Sequence, residues 1–429
     1  MGVALNRYRE ALDFLFARTT GKTKFGLERT RTLLRALGDP QDDLRAFHVA
    51  GTNGKGSVCA MLEGSLRAGG LRVGKYTSPH LVDFRERIVV DGQPMPEAAV
   101  VEFVERWTPL CEEIGATFFE ATTAMAFDYL AASRVDAAVV EVGLGGRLDS
   151  TNVIQPVVAG VVSIGLDHTE YLGETRELIA AEKAGIFKPG VPAVVGERDE
   201  TTRALLARRA VEVGAAPVRV VADEGDISDV RVGVEGTTFT IAGRGGGRRL
   251  RTALLGEHQA ANAAVALTML DAAPSELAPS AERVARALSE VRLPGRFQRV
   301  GAFIFDVAHN ADSVAVLART LRTVDPPRPL AVLFSVLGDK DWRAMMAELA
   351  PAADAFVLTC APTAPASRAW RLADALAFAR ARGWRAEAEP DFDQALARAE
   401  ALGRTVLATG SFHTAGDAMA RLQINPLAG

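Results

Sequence analysis

The sequence has few cysteines, no basic block and no long apolar run, and each lack excludes a class of protein. Its three cysteines, Cys59, Cys111 and Cys360, form no C-x-x-C pair, which argues against a disulfide framework or a zinc site and favours a reducing compartment. The 49 basic and 53 acidic residues give a net charge of −4 and are spread along the chain. We therefore expect no nucleic-acid or membrane partner.

Membrane insertion and secretion are also not expected. No apolar run approaches the ~18 residues that span a bilayer. Arg7, Arg9 and Glu10 interrupt the apolar N-terminus, so no signal-peptide core is present there. We expect a cytoplasmic, monomeric protein, and about 150 residues per domain predicts two or three domains in 429 residues.

Alternating apolar runs and amphipathic segments predict an α/β fold. Nearly continuous Val/Ala/Ile runs are typical of strands buried on both faces of a parallel sheet. The turn-rich segment 218–255, with a glycine turn at 243–247, predicts an antiparallel hairpin or meander on the sheet edge. The first half is predicted to have strands at 46–50, 71–77, 137–142, 157–164 and 193–196, and helices at 5–16, 26–37, 58–68, 97–114, 122–133, 175–187 and 258–270.

A second α/β unit is predicted after the segment 293–298 (Leu-Pro-Gly-Arg-Phe-Gln). Strands are expected at 302–305, 330–334, 355–358, 385–388 and 405–408, with helices between them. The fold class is thus a doubly wound, mainly parallel sheet domain with a phosphate loop and a small antiparallel element, followed by a smaller Rossmann-like α/β domain. We set the domains at 1–297 and 298–429.

The segment 48–57 (His-Val-Ala-Gly-Thr-Asn-Gly-Lys-Gly-Ser) has the order strand, glycine loop, helix. In such a loop the backbone N–H groups point at an anion and Lys55 supplies a positive charge. The spacing departs from G-x-x-x-x-G-K-[ST], because Val49 replaces the first glycine and Ser57 comes two residues after Lys55. The pattern alone fits either a nucleotide site or a tight strand-to-helix turn.

Polar residues follow the other predicted strands of the first domain. Ser78-Pro-His80 follows the second, Glu141 to Asp149 the third, and Gly165-Leu-Asp-His168 the fourth. The carboxyl ends of parallel strands meet at one edge, so a hydroxyl, a carboxylate and an imidazole are expected beside the phosphate loop as metal ligands. Glu141 also fits a salt bridge to arginine, and His168 also fits a surface histidine. Lys183, predicted in mid-helix, fits a solvated lysine.

Eight motifs occur in an order that resembles the folylpolyglutamate synthase and dihydrofolate synthase family, within the Mur ligase superfamily. The resemblance covers about residues 45 to 415. The motifs are Gly51-Thr-Asn-Gly-Lys-Gly-Ser57, Thr77-Ser-Pro-His-Leu81 with Glu86-Arg-Ile88, Glu141-Val-Gly-Leu-Gly-Gly146, Leu166-Asp-His168, Glu182-Lys-Ala-Gly185, Gly256-Glu-His-Gln259 with Asn262, Pro294-Gly-Arg296 and Asp306-Val-Ala-His-Asn310.

The resemblance implies an ATP-dependent amide ligase that adds L-glutamate to dihydropteroate, to a folate or to both through an acyl phosphate. It implies ATP and Mg²⁺, as one or two ions, and allows a monovalent cation. The implied catalytic residues are Lys55, Lys183 (carbamylated) and His309, and the implied metal ligands are Ser78, Glu141 and His168. The implied ATP-binding residues are Asn53, Gly54, Lys55, Gly56, Ser57, Asn262, Arg296 and Asp306.

The resemblance also implies a pterin pocket formed by Phe119, Glu120, Ala121, Thr122, Leu148, Asp149 and Ser150. The second domain would hold glutamate, with the turn 411–413 (Ser-Phe-His) as a candidate. One departure is Val307, where the family has glycine, and its branched side chain is expected to narrow the space beside Asp306.

Two other functions fit parts of the sequence. One is a Mur-type ligase that joins amino acids to a UDP-sugar peptide. The other is a P-loop nucleotide switch, which would leave Asp306 and His309 without a role. Turnover that requires a pteridine and glutamate would distinguish the folate ligase from both of these alternatives.

Overall fold

The computed structural model describes residues 2–19, 26–225, 227–242 and 247–427. Within these ranges the strands form three sheets, one of eight strands, one of three and one of six. None of the described helices is long and apolar enough to cross a membrane.

The first sheet is mainly parallel and carries an antiparallel edge. Its order is β4-β3-β2-β5-β1-β6-β7-β8. The six strands from β2 to the β8 edge pair in parallel, and β3 pairs antiparallel with both β2 and β4. Strands β3 and β4, which are 3 and 2 residues long, were not predicted. The strands are β1 Ala46–Ala50, β2 Val73–Tyr76, β3 Ile88–Val90, β4 Gln93–Pro94, β5 Ala137–Glu141, β6 Val158–Val161, β7 Ala193–Val195 and β8 Val218–Val220.

Helices cover both faces of this sheet, because successive side chains of a strand point to opposite faces. Phe47 and Val49 pack with α3, α10 and α11, whereas Ala46 packs on the other face with α1, α2, α4 and α5. The helices are α1 Gly2–Phe16, α2 Glu28–Ala36, α3 Lys55–Ala68, α4 Glu97–Glu113, α5 Phe118–Ala132, α6 Thr169–Leu172, α7 Arg176–Ala184, α8 Glu200–Glu212, α9 Val221–Glu224, α10 His258–Ala272 and α11 Ala281–Glu290.

Two helices begin earlier than predicted. Helix α3 begins at Lys55 and not at residue 58, with Gly54 at its N-cap in the left-handed region (φ +86°). Helix α5 begins at Phe118 and not at residue 122, because Thr117 and Glu120 form a capping box in which Glu120 Oε2 accepts the Thr117 N–H at 2.8 Å. The phosphate-loop lysine and the predicted pterin segment therefore lie in first helical turns.

The segment 218–255 contains the predicted meander, but its predicted position on the sheet edge is wrong. β8 extends the parallel sheet, and β9 (Ile227–Gly233), β10 (Gly236–Ile241) and β11 (Arg248–Thr252) form a separate antiparallel sheet. Phe239 and Leu250 are buried against the α3, α10 and α11 core, so this sheet buries its apolar face on helices. The glycine turn predicted at 243–247 includes residues 243–246, which lie outside the described residues.

The third sheet has the order β12-β13-β17-β14-β15-β16, with β12 alone antiparallel. The five predicted strands are confirmed, and the short polar strand β12 was missed. The fold class is confirmed; the domain division at 297/298 stays a prediction. The elements are β12 Gln298–Val300, β13 Phe303–Phe305, α12 Ala311–Val324, β14 Leu330–Phe334, α13 Trp342–Leu349, β15 Ala355–Leu358, α14 Leu372–Arg380, β16 Ala386–Ala388, α15 Phe392–Leu402, β17 Thr405–Thr409 and α16 Phe412–Arg421.

The loop after β2 lies directly against the third sheet's last helix. A Cβ placed on Gly416 of α16 would lie 2.1 Å from the Leu81 carbonyl oxygen. Only glycine fits at this position, because any side chain would clash with the Leu81 carbonyl.

A buried carboxylate joins the first sheet to the third. Lys340 Nζ donates to Asp167 Oδ1 at 2.5 Å, and His309 Nε2 lies 3.4 Å from Asp167 Oδ2. Asn310 Nδ2 donates both to Asp167 Oδ2 at 3.1 Å and to Asn53 Oδ1 of the phosphate loop at 3.3 Å. Burial alone would raise the pKa of Asp167, but the His309 hydrogen bond and the charge of Lys340 lower it well below its usual range.

We expect Asp167→Asn to reduce the free energy of unfolding by about 3 kcal/mol at pH 7, because it leaves the Lys340 ammonium buried without a counter-ion. The folded-state pKa of Asp167 is depressed, so its contribution is complete above the unfolded pKa of about 3.9 and is lost as the pH falls towards the folded value. Urea denaturation at pH 7, 5 and 3.5 should show the full difference between the two proteins at pH 7 and 5 and only the beginning of its loss at pH 3.5.

Asp339→Asn is the matched control. Asp339 pairs with Arg368 at 2.6 Å, but both side chains are about 40% exposed, so the same chemical change should cost at most about 1 kcal/mol. Equal losses in the two variants would contradict a special role for Asp167.

Candidate active site

The phosphate loop forms a tight turn between β1 and α3. Ser163 Oγ donates to the Asn53 carbonyl at 2.9 Å, and Lys55 Nζ donates to the Gly51 carbonyl at 3.0 Å. The first-turn N–H groups of α3 have no partner within the helix, which makes this end a place for an anion. A Cβ on Gly54 would lie 2.5 Å from Asn262 Oδ1, so the Asn262 amide lies directly over the loop.

Residues from two strand ends, Ser78 after β2 and Glu141 after β5, meet beside this loop. Glu141 Oε2 accepts the Ser78 N–H at 3.3 Å. A Cβ on Gly56 would lie 3.7 Å from Arg296 Nη2 and 4.0 Å from Glu141 Oε2. Burial raises the pKa of Glu141, and the charges of Lys55 and Arg296 oppose that rise. Among the described residues Glu141 has no ion pair within 4 Å, so the salt-bridge alternative is not supported.

The β13 end contributes Asp306 and His309. Asp306 accepts the N–H groups of Phe297 and Ala308, each at 2.9 Å, and burial raises its pKa despite the neighbouring Arg296 charge. His309 Nδ1 lies 2.9 Å from the Val307 carbonyl. Val307 is 3% exposed, and its Cγ1 packs towards Gly295, where a Cβ would lie 2.9 Å away.

His168 lies beside Asp167, with its Nε2 4.0 Å from Asp167 Oδ1 and its side chain 37% exposed. Burial and the Lys340 charge lower the pKa of His168 to about 4, although the Asp167 charge opposes them. The ring is therefore neutral at pH 7, which is the form that ligates metals. His168 is within electrostatic reach of Lys55, on the same edge as the phosphate loop.

Lys183 is buried, so the solvated reading of this residue is wrong. It lies in the last turn of α7 and is 5% exposed. The loop after β5 covers it so closely that a Cβ on Gly146 would lie 2.9 Å from the Lys183 carbonyl. Burial, followed by the charge of Lys55, lowers the pKa of Lys183 to about 7, while Asp167 and Asp149 act in the opposite direction.

Most of the predicted pterin-pocket residues point into the protein. Ala121 and Thr122 are fully buried, and the Glu120 carboxylate is held by Thr117 and by Arg29 at 2.9 Å. Asp149 accepts the Leu144 N–H at 2.8 Å. Ser150 is also buried.

Two of these seven residues, Phe119 and Leu148, are partly exposed. Phe119 lies against Gly143, where a Cβ would be 2.3 Å from its ring, and 6.1 Å from the ring of Tyr76. The segments 119–122 and 148–150 are thus next to each other and next to Glu141.

Two residues that contact this edge, Lys340 and Asn310, had no predicted role. Lys340 carried no pattern, because it reaches Asp167 from 173 residues away. Asn310 was part of the Asp306–Asn310 motif, but no role was predicted for its amide, which joins Asn53 to Asp167.

Two family models match the chain. The Mur ligase middle domain matches residues 49–270, and the Mur ligase glutamate ligase domain matches residues 295–412. The first match alone covers more than half of the chain.

Individual relatives agree with these matches. A dihydrofolate synthase/folylpolyglutamate synthase of Bacillus subtilis is 34% identical and the match covers 97% of this chain and 99% of the relative. A probable bifunctional folylpolyglutamate synthase/dihydropteroate synthase of Halobacterium salinarum is 40% identical over 83% of this chain. The chain spans less than half of that relative, 44% of its length.

A solved structure gives the same result. The folylpolyglutamate synthase of Mycobacterium tuberculosis, complexed with ADP and AMPPCP, has a TM-score of 0.90 and 33% identity, with 99% of this chain and 100% of that chain covered. These comparisons confirm the resemblance found in the motifs. The chain belongs to the folylpolyglutamate synthase/dihydrofolate synthase family of Mur ligases.

Proposed function

We propose that this protein is an ATP-dependent ligase that joins L-glutamate to the carboxylate of dihydropteroate, of a reduced folate, or of both. The observation that carries the proposal is the convergence of Lys55, Glu141 and Arg296 at one sheet edge, with Asp306 and His309 of the third sheet facing it. A nucleotide switch needs no such second half. The family membership favours the folate acceptor over a UDP-sugar peptide.

ATP binds at the phosphate loop in this proposal. The N–H groups of residues 53–57 and the Lys55 ammonium hold the phosphates, Asn262 contacts the nucleotide above Gly54, and Asp306 contacts it from the second half. Arg296 supports this role because its partly buried guanidinium lies beside Gly56 and gains from a phosphate counter-charge.

Mg²⁺ fits this edge as an ion shared with phosphate oxygens. No group of three or more His, Cys, Asp or Glu side chains in the described ranges is arranged to hold a metal by itself, whereas Mg²⁺ commonly takes one or two carboxylates plus phosphates and waters. Ser78, Glu141 and His168 would hold it, and Glu141 is a buried carboxylate near the loop. When bound, the ion neutralises charge on the phosphates.

The chain's own residues then have defined tasks. Lys55 and Arg296 offset the repulsion between the γ-phosphate and the acceptor carboxylate, so the carboxylate oxygen can attack phosphorus and release ADP. The glutamate amine attacks the acyl phosphate and releases phosphate. Water would hydrolyse that intermediate, and the contact of the second half with the phosphate loop through Asn310 supports its exclusion. His309 is proposed to be a catalytic residue at this edge of the sheet.

Lys183 is proposed to be carbamylated. The reaction joins the neutral amine to CO₂ and releases a proton, so it requires an unprotonated lysine. Burial lowers the pKa of Lys183 to about 7, so much more of the amine is neutral at pH 7 than for a lysine with the ordinary pKa of about 10.4. The ordinary lysine pKa makes this form scarce, so burial itself favours the modification.

The pterin ring is proposed to bind against Phe119 and Leu148, the partly exposed side chains of segments 119–122 and 148–150. The second half is proposed to hold glutamate near Ser411, whose hydroxyl donates to the Ser335 carbonyl at 3.2 Å. The division at 297/298 is supported by the third sheet, which begins at Gln298.

We expect ADP release to require L-glutamate together with dihydropteroate or tetrahydrofolate. A coupled assay with ATP and Mg²⁺ should give at least a 100-fold higher rate with one of these acceptors than without. A UDP-muramoyl peptide should give no turnover. Acceptor-independent hydrolysis, or turnover of the UDP-sugar peptide alone, contradicts the proposal.

Lys183→Ala is expected to lower kcat by at least 100-fold, because it removes the carbamylated side chain, while the melting temperature stays within a few degrees. ¹³C NMR after incubation with ¹³C-bicarbonate should give a carbamate signal in the wild type that is missing in the variant. Lys188→Ala is the control, since the one hydrogen bond of Lys188 to a described residue goes to the Asn152 carbonyl, at 3.1 Å. A Lys183→Ala protein with wild-type activity would refute the role.

Glu141→Gln, Ser78→Ala and His168→Ala should each raise the Mg²⁺ concentration for half-maximal activity, by about tenfold for Glu141→Gln because it loses the charged ligand. The measurement is ADP release against Mg²⁺ at saturating substrates. Asp128→Asn, a carboxylate change in helix α5 away from this edge, should leave the Mg²⁺ requirement unchanged. An unchanged requirement in a site variant removes that residue from the metal site.

A further inference from the structure

One buried arginine near the site has no ion-pair partner among the described residues. Arg87 is 7% exposed, yet among the described residues no carboxylate lies within 4 Å of its nitrogen atoms. Buried arginines are almost always paired. Its Nε donates to His80 Nδ1 at 2.8 Å, and neither Nη atom has a hydrogen-bond partner within the described ranges.

The backbone holds Arg87 at the carboxyl edge of the first sheet. The Thr77 N–H donates to the Arg87 carbonyl at 2.9 Å, so Arg87 lies opposite the residue that precedes Ser78. Ile88, the next residue, pairs with Tyr76 in β2. The guanidinium is also within electrostatic reach of Glu141. The Nη pair is therefore near the place where the acceptor carboxylate must meet the phosphate.

The surroundings of the guanidinium are aromatic. Arg87 Cζ lies 5.0 Å from the centroid of the Phe118 ring. Phe118 stacks on Phe16 at 5.4 Å and contacts Phe84 edge-on at 6.2 Å. Phe16 is 42% exposed, so the aromatic group opens to solvent on one side. The Nε bond to His80 and the ring contact fix the plane of the guanidinium.

We propose that Arg87 is a positioning residue that binds the acceptor's carboxylate through its two Nη atoms, with the aromatic rings packing on the aryl group that carries it. This inference rests on the proposed function and names the group that orients its acceptor. A planar guanidinium matches a carboxylate with two parallel hydrogen bonds. It also offsets the repulsion between that carboxylate and the phosphate. The ligand class is thus an aryl carboxylate such as pteroate.

The test compares the binding of pteroate and of its methyl ester, which lacks the charge. Isothermal titration calorimetry on the full chain should give wild-type binding that is about 10- to 100-fold tighter for the acid, since hydrogen bonds between charged groups contribute that much. In Arg87→Gln the ratio should fall to near 1 while the ester still binds as in the wild type. A general structural defect would weaken both ligands equally and leave the ratio unchanged.

Arg87→Lys serves if the glutamine variant does not fold. It keeps the positive charge but loses the planar pair of donors, so it should retain part of the ratio. Arg85→Gln is the matched control, because Arg85 lies in the same turn and pairs with Asp83 at 2.7 Å; its ratio should equal the wild type's. In steady-state assays Arg87→Gln should raise KM for the acceptor at least tenfold and KM for ATP less than twofold.

The outcomes separate the two proposals. Wild-type binding of pteroate with an unchanged acid-to-ester ratio in both Arg87 variants overturns the role of Arg87 and leaves the proposed function standing. A rise in KM for ATP without a change in the ratio assigns Arg87 to the phosphates and also overturns it. A wild-type protein that binds neither pteroate nor its methyl ester overturns the proposed function itself.

Discussion

The ion pair between Asp167 and Lys340 is the interaction on which the arrangement of the two halves depends. Both side chains are below 10% exposed, and a charge in that environment is stable only with its partner in place. The pair therefore requires the end of β6 and the loop after β14 to stay together. The same carboxylate receives His309 and the Asn310 amide, so the chemistry of the second half meets the phosphate loop where the halves are joined.

Low exposure also sets the protonation states at this edge. Burial raises the pKa of Glu141 and lowers that of Lys183, because taking a charge out of water disfavours the charged form in both cases. Each group thereby becomes suited to a partner that restores charge balance: a cation for the carboxylate, CO₂ for the amine. Neither side chain forms an ion pair with a described residue, so each can bind a new partner. Groups with shifted pKa values of this kind cluster at functional sites.

Local patterns predicted the parts of the fold that local physics determines. Continuous apolar runs located the buried strands, and the rule that parallel strands share a carboxyl edge predicted that Ser78 and Glu141 lie together. The failures have tertiary causes. The helical pattern around Lys183 predicts a solvated side chain, because the loop around Gly146 that covers this residue is remote in sequence. Lys340 and the separate β9–β11 sheet also depend on contacts that no short window contains. The family resemblance supplied the roles that spacing could not.

The approach of Leu81 to Gly416 has a consequence for how the substrates can enter. Loop 78–83 touches α16 of the second half through a backbone contact that leaves no room for a methyl group. If the halves separate about the linker 293–297, this contact must break or the loop must travel with α16. Ser78 lies three residues from Leu81, so a movement of α16 would also move the Ser78 hydroxyl beside the phosphate loop. Opening of the two halves to admit the acceptor or glutamate would therefore also shift Ser78, which is proposed to serve the ATP site.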